Sequence, residues 1–129
     1  MFLGLRTVIY PAPDLAASKA WYQRVLNIEP YFDEPFYVGF NVRGYELALD
    51  PAGDPAQGPI TYWGVADADE ALRVLIAAGA MPSGDVQDVG DGIRTATVLD
   101  PGGATLGIIE NPHFALPDSP PSRSTGAGR

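Results

Sequence analysis

The chain has no cysteine. Disulfides, thiolate nucleophiles and cysteine-ligated metals are therefore excluded. Histidine is almost as scarce: His113 stands alone, with no serine or carboxylate around it in a recognisable triad motif. Basic residues are few, 8 against 16 acidic ones, for a formal net charge of -8. Lys19 is the single lysine, and no basic cluster exists. Such a chain repels phosphate backbones, so no nucleic-acid partner is expected. No apolar run approaches the roughly 20 residues that span a bilayer, and no membrane partner is expected. The opening Met1–Arg6 lacks the basic segment and long apolar run of a secretory signal. The expected location is the cytoplasm. A phosphate-cradling glycine loop is missing too, since Gly102 and Gly103 fall between strands rather than at the start of a helix.

What the chain does have is regular alternation of strand and helix signals. Leu5 to Tyr10 is rich in β-branched and apolar residues and reads as a strand. Pro11 and Pro13 stop it, and Asp14 suits the N-cap of a helix. Leu15, Tyr22, Val25 and Leu26 share one face of that helix, and Asn27 suits its left-handed end. Three strands follow, Ile28–Asp33, Phe36–Val42 and Tyr45–Asp50, with turns at Glu34-Pro35 and Arg43-Gly44. Residues 51–59 are a Pro- and Gly-rich linker. Ile60–Val65 reads as a strand. Asp67 and Glu70 then form a capping-box pattern ahead of a helix that carries Leu72, Leu75 and Ile76 and closes at Gly79. Gly84–Val89, Ile93–Leu99 and Ala104–Glu110 are the last strands, with turns at Asp91-Gly92 and over residues 100–103.

The order is thus β-α-β-β-β twice, module one over about 3–50 and module two over about 60–111. Thr7 to Leu15 leads a strand into a helix bearing Trp21-Tyr22 and Val25-Leu26. Thr61 to Asp69 repeats the step, and Asp100-Pro-Gly-Gly precedes the final strand. In this order the motifs resemble the vicinal-oxygen-chelate superfamily, which includes glyoxalase I, extradiol dioxygenases, and fosfomycin and bleomycin resistance proteins. The resemblance implies an α+β fold in which two βαβββ modules with curved mixed sheets form a cavity. It also implies a homodimer. One domain is expected over 1–116. Residues 117–129 carry too little apolar surface to offset chain entropy and are expected to be a disordered tail.

Metal-dependent members of that superfamily carry a His or Gln on the first strand, seven residues before the capping Asp; here that residue is Thr7. A second His opens their fifth strand, here Thr61. A Glu stands on their last strand, seven residues past the Asp of the Asp-Pro turn, here Gly107. The fourth ligand matches either Glu46 or Ala48. Divalent transition metals need several N or O donors at about 2.0–2.2 Å. The expectation is therefore no metal and no cofactor. Glu110 lies three residues past Gly107 and so on the opposite face, and His113 is expected on the surface.

What remains is a cavity for an organic ligand. Thr7 and Ile9 share one strand face, Thr61 and Trp63 another, and Gly107 leaves space on the last strand. On the third strand either Phe36, Val38 and Phe40 or Tyr37, Gly39 and Asn41 face the cavity. Arg94 and Arg43 are the arginines nearest its mouth. The candidate ligand-binding set is Thr7, Ile9, Thr61, Trp63, Gly107, Phe36, Phe40 and Arg94. Glu46 is the candidate catalytic residue of an acid–base reading. The leading expectation is a metal-free protein similar to bleomycin-type resistance proteins, binding a small organic compound of planar, aromatic type. The alternatives are a metal-independent lyase, isomerase or cyclase using Glu46 or a tyrosine, a glyoxalase- or dioxygenase-type metal enzyme with relocated ligands, and a dimeric remnant without ligand. Fold alone does not choose among them.

Overall fold

The computed structural model describes residues 1–116; the expected tail, 117–129, lies outside the described residues. Module one comprises β1 (Gly4–Pro11), α1 (Leu15–Leu26), β2 (Phe32–Glu34), β3 (Tyr37–Val42) and β4 (Tyr45–Asp50). Module two comprises β5 (Ile60–Gly64), α2 (Ala68–Ala77), β6 (Met81–Pro82), β7 (Gln87–Gly90), β8 (Ile93–Leu99) and β9 (Thr105–Glu110). A short 3-10 turn, Pro55–Gln57, lies in the linker between them.

Local chemistry sets the ends of these elements. Asp14 accepts a hydrogen bond from the Ala17 N–H at 3.1 Å, and Asn27 ends α1 with φ 58° and ψ 40°. Asp67 accepts from the Glu70 N–H at 3.2 Å. The expected capping box is only half made, because Glu70 pairs with Arg73 instead. The hairpins β3–β4 and β7–β8 turn at Arg43-Gly44 and Asp91-Gly92, where all four φ angles are positive. That is the backbone of primed turns, whose twist matches the strands they join. Asp100 Oδ1 accepts from the N–H groups of Gly102 and Ala104, both at 2.9 Å, and so closes the turn into β9. Two expected strands differ from the reading: Ile28–Asp33 is replaced by the shorter β2 and Gly84–Val89 by the shorter β7, while β6 is a two-residue strand ahead of it that the sequence reading did not include.

All nine strands join one mixed sheet in the order β2-β3-β4-β1-β5-β9-β8-β6, with β7 on β8. The modules meet edge to edge through the antiparallel pair β1–β5. Pairing of the two modules therefore occurs within the chain. Each module has its own core on the helix-covered face. Under α1 lie Ala12, Val38, Phe40 and Leu49; under α2 lie Val65, Ala68, Ala71, Ala96 and Ile108. Complete burial of a side chain such as Phe40 contributes about 1.5–3 kcal/mol. Leu15, Tyr22 and Leu26 pack on the first core, whereas Val25 is exposed on the other side of α1. Among the described residues the opposite face of the sheet carries no helix. It holds the cavity.

Candidate functional site

The sheet and the segment after β9 line an open cavity of about 780 Å³. A smaller depression beside the end of α1, about 480 Å³, is lined by Ala20, Gln23, Arg24, Asn27, Ile28 and Glu29 alone and gathers no groups from the sheet. The large cavity takes Arg6, Thr7 and Ile9 from β1, Tyr37 and Asn41 from β3, and Tyr45, Glu46 and Asp50 from β4. Module two adds Tyr62, Val89, Ile93, Thr95 and Ile109, and Tyr31, Phe32 and Phe36 form one rim. Asn111, His113, Phe114 and Ala115 cross the other rim.

Glu46 is the polar centre. Its Oε1 accepts from the Thr7 hydroxyl at 3.0 Å and the Tyr37 hydroxyl at 3.1 Å, and its Oε2 accepts from the Tyr31 hydroxyl. Register explains the meeting. Thr7 lies beside Glu46 in the parallel pair β1–β4, and β3 runs antiparallel to β4 on its other side. Gly39 makes room, since a Cβ there would stand 2.6 Å from Glu46 Oε2 and 3.0 Å from the Tyr31 ring. The Tyr37 hydroxyl pKa is pushed well above its ordinary value by burial and then by the Glu46 charge. Tyr31 is raised by burial of its hydroxyl end and by its hydrogen bond to Glu46. Both phenols stay protonated and act as donors.

A single extra residue decides what module two presents to this centre. Gly4 and Leu5 pair with Gly64 and Trp63, but Thr7 pairs with Tyr62 because β1 bulges at Arg6. Without the bulge the same register would set Thr7 opposite Thr61. A one-residue shift turns alternating side chains over. Tyr62 therefore faces the cavity, while Thr61 and Trp63 face away. Trp63 stacks on Phe2 at 5.5 Å and its indole N–H donates to Thr61 at 3.3 Å. Arg6 turns into the cavity as well. Its guanidinium lies 3.7 Å from the centroid of the Phe114 ring and passes over Gly64, where a Cβ would stand 2.5 Å from Nε.

The remaining expected site residues divide in the same way. Thr7, Ile9 and Phe36 line the cavity. Gly107 lies on the cavity face but its space is taken by Tyr62, whose ring would be 2.5 Å from a Cβ at Gly107. Phe40 is buried under α1, so β3 turns Tyr37 and Asn41 to the cavity. Arg94 points to the helix side, where it pairs with Asp69 at 2.7 Å and Glu110 at 3.6 Å. Glu110 accepts from the Ala68 N–H at 2.9 Å, which completes the cap of α2 and keeps the carboxylate away from the cavity. Arg43 sits in the β3–β4 turn, where only its neighbour Gly44 reaches the mouth. His113 lies at the rim and contacts the Asp91 carbonyl oxygen at 2.8 Å. Tyr31, Tyr37, Tyr62, Arg6 and Phe114 stand outside the candidate ligand-binding set read from the sequence. Of these, the sequence offers Tyr37 alone, on one of the two alternative faces of the third strand.

A family model described as the Glyoxalase/Bleomycin resistance protein/Dioxygenase superfamily matches residues 4–108. The chain belongs to this superfamily. Its fold is similar to a single-residue variant of Streptomyces coelicolor methylmalonyl-CoA epimerase in complex with 2-nitronate-propionyl-CoA, at 15% identity and TM-score 0.72, over 87% of this chain and 99% of that one. It is also similar to methylmalonyl-CoA epimerase from Mycobacterium tuberculosis, at 19% identity and TM-score 0.67, over 85% and 89%. A superfamily member from Vibrio splendidus 12B01 matches at 19% identity and TM-score 0.62, over 83% and 99%. Nothing among curated proteins matches. At these identities the likeness is one of fold. The metal ligands that the superfamily implies do not fit this chain. On the cavity face the strands that would carry those ligands present Thr7, Glu46, Tyr62 and Gly107, of which Glu46 is the one carboxylate, and Thr7 already donates its proton to Glu46. Among the described residues no group of three or more His, Cys, Asp and Glu could hold a metal ion.

Proposed function

We propose that this superfamily member binds a small organic compound of aromatic type in the cavity, without a metal, in the manner of a sequestering protein. The observation that carries the reading is the Glu46 centre. A carboxylate fixed by Thr7, Tyr31 and Tyr37 stands among aromatic walls, at the strand positions where a metal-binding relative needs converging donors. A cavity of about 780 Å³ lies within the size range of small-molecule sites. A few placed polar groups in an aromatic surround fix the orientation of a ligand.

The test has two arms. Elemental analysis after dialysis should find no stoichiometric Zn, Ni, Fe or Mn; about one tightly held ion per chain would overturn the metal-free reading. Titration with a neutral aromatic probe, benzyl alcohol, should shift the amide resonances of Thr7, Tyr37 and Tyr62 together. Shifts confined to the α1 surface would overturn the cavity reading.

A second reading is a metal-independent lyase or isomerase with Glu46 as base. It is favoured by the exposure of Glu46 to the cavity. Against it, an ionised carboxylate has about four acceptor sites, and three of those on Glu46 already take protein hydroxyls. Turnover of a bound carbon acid, seen as solvent deuterium incorporation that Glu46→Gln abolishes, would favour this second reading. A homodimer is proposed as well, and light scattering over a range of concentrations tests it.

A further inference from the structure

We infer that the cavity selects an organic cation, a protonated aromatic amine or its quaternary analogue, with Glu46 as the charge that anchors it. The inference rests on the proposed cavity and adds the chemical class of its ligand. Its first support is the imbalance of the Glu46 centre. Thr7, Tyr31 and Tyr37 each give Glu46 a proton but no charge. With three hydroxyls directed at its two oxygens, the carboxylate serves only as an acceptor. The ion pairs among the described residues are Lys19–Asp33, Arg73–Glu70, Arg94–Asp69 and Arg94–Glu110. Glu46 is in none of them, so its negative charge has no cationic partner among these residues. Oε1 takes two donors and Oε2 only one. The remaining acceptor capacity is on Oε2, and an ammonium N–H of the ligand can use it.

The second support is the wall. Phe32, Phe36 and Tyr37 form edge-to-face pairs at 5.9–6.0 Å and line the cavity with Tyr62. The electron-rich faces of such rings attract a cation. Asp50 adds a second carboxylate to the lining. The lining's arginine, Arg6, makes no ion pair with Glu46: it is stacked on Phe114 and bedded over Gly4 and Gly64. An anionic ligand at the centre would meet the Glu46 charge directly. A neutral ligand would leave that charge without a partner in a partly dehydrated site.

The experiment compares three probes of similar size on the full chain by NMR titration: benzylamine, benzyl alcohol and benzoate. At neutral pH benzylamine should bind at least about tenfold more tightly than benzyl alcohol, and benzoate more weakly than either. The preference should shrink as salt is raised, because it is electrostatic. Glu46→Gln should reduce the amine-to-alcohol ratio to within about threefold, chiefly through loss of amine affinity. If Glu46→Gln does not fold, the wild-type ratio and its salt dependence decide the matter alone. Equal or tighter binding of benzyl alcohol or benzoate in the cavity would overturn the charge assignment and leave the cavity reading intact. Failure of all three to bind would overturn both.

Discussion

The two halves of the sheet are built alike and carry different chemistry. In module one, β1, β3 and β4 bring Thr7, Tyr37 and Glu46 into one hydrogen-bonded cluster that Tyr31 completes. In module two the facing strands offer Ile93, Thr95, Ile109 and a tyrosine laid over a glycine. A duplicated scaffold therefore does not produce a duplicated site. The helices and cores repeat because each sheet half must bury one face. The cavity faces diverge because nothing in the fold constrains which side chains stand there.

The largest test breaks the cores separately. Phe40→Ala under α1 should cost about 3–5 kcal/mol and Ile108→Ala under α2 about 2–5 kcal/mol in denaturant unfolding. Since one sheet joins the modules, both variants should still unfold in a single transition. Two separated transitions would show that the halves are independent.

Next comes the glycine beneath Tyr62. Gly107→Ala places a methyl against that ring and should cost about 1–3 kcal/mol. Tyr62 must then swing into the cavity, so benzyl alcohol should bind more weakly. An alanine variant with unaltered stability and binding would show that Tyr62 does not occupy that space in solution.

The helix caps provide a smaller contrast. The first turn of α2 is served by Asp67 and by Glu110 from β9, whereas that of α1 has only Asp14. Loss of an N-cap costs about 0.5–2 kcal/mol. Asp14→Ala should fall higher in that range than Asp67→Ala, as measured by urea midpoint.

The smallest effect is on pH dependence. The folded pKa values of Tyr31, Tyr37 and Tyr62 are raised above the unfolded value. Their contribution is complete below about pH 10, where phenols are protonated in both states. Above that, the unfolded chain loses its phenolic protons first, so stability falls as pH rises. Tyr37→Phe should flatten this decline more than Tyr62→Phe, because Glu46 lies against Tyr37 while Tyr62 senses burial and Asp50. Equal slopes in melts between pH 9 and about 11 would remove Glu46 as the cause.

Much of this architecture is legible in the chain itself. The strand–helix–strand order, the caps at Asp14 and Asp67, the left-handed Asn27 and the two primed turns are local events. Each depends on residues within a few positions of one another and is fixed locally, as is the opposition of Glu110 and Gly107 across their strand. The cavity lining is a different matter. Whether Tyr62 or its neighbours Thr61 and Trp63 face the site depends on one bulged residue at Arg6, where two strands distant in sequence pair. The face of β3 that meets the cavity depends on Phe40 and Val38 finding the underside of α1. The Glu46 cluster depends on three strands and a loop in register. Strand alternation is strict, but its phase is set by long-range packing and pairing, and only the tertiary structure supplies that phase.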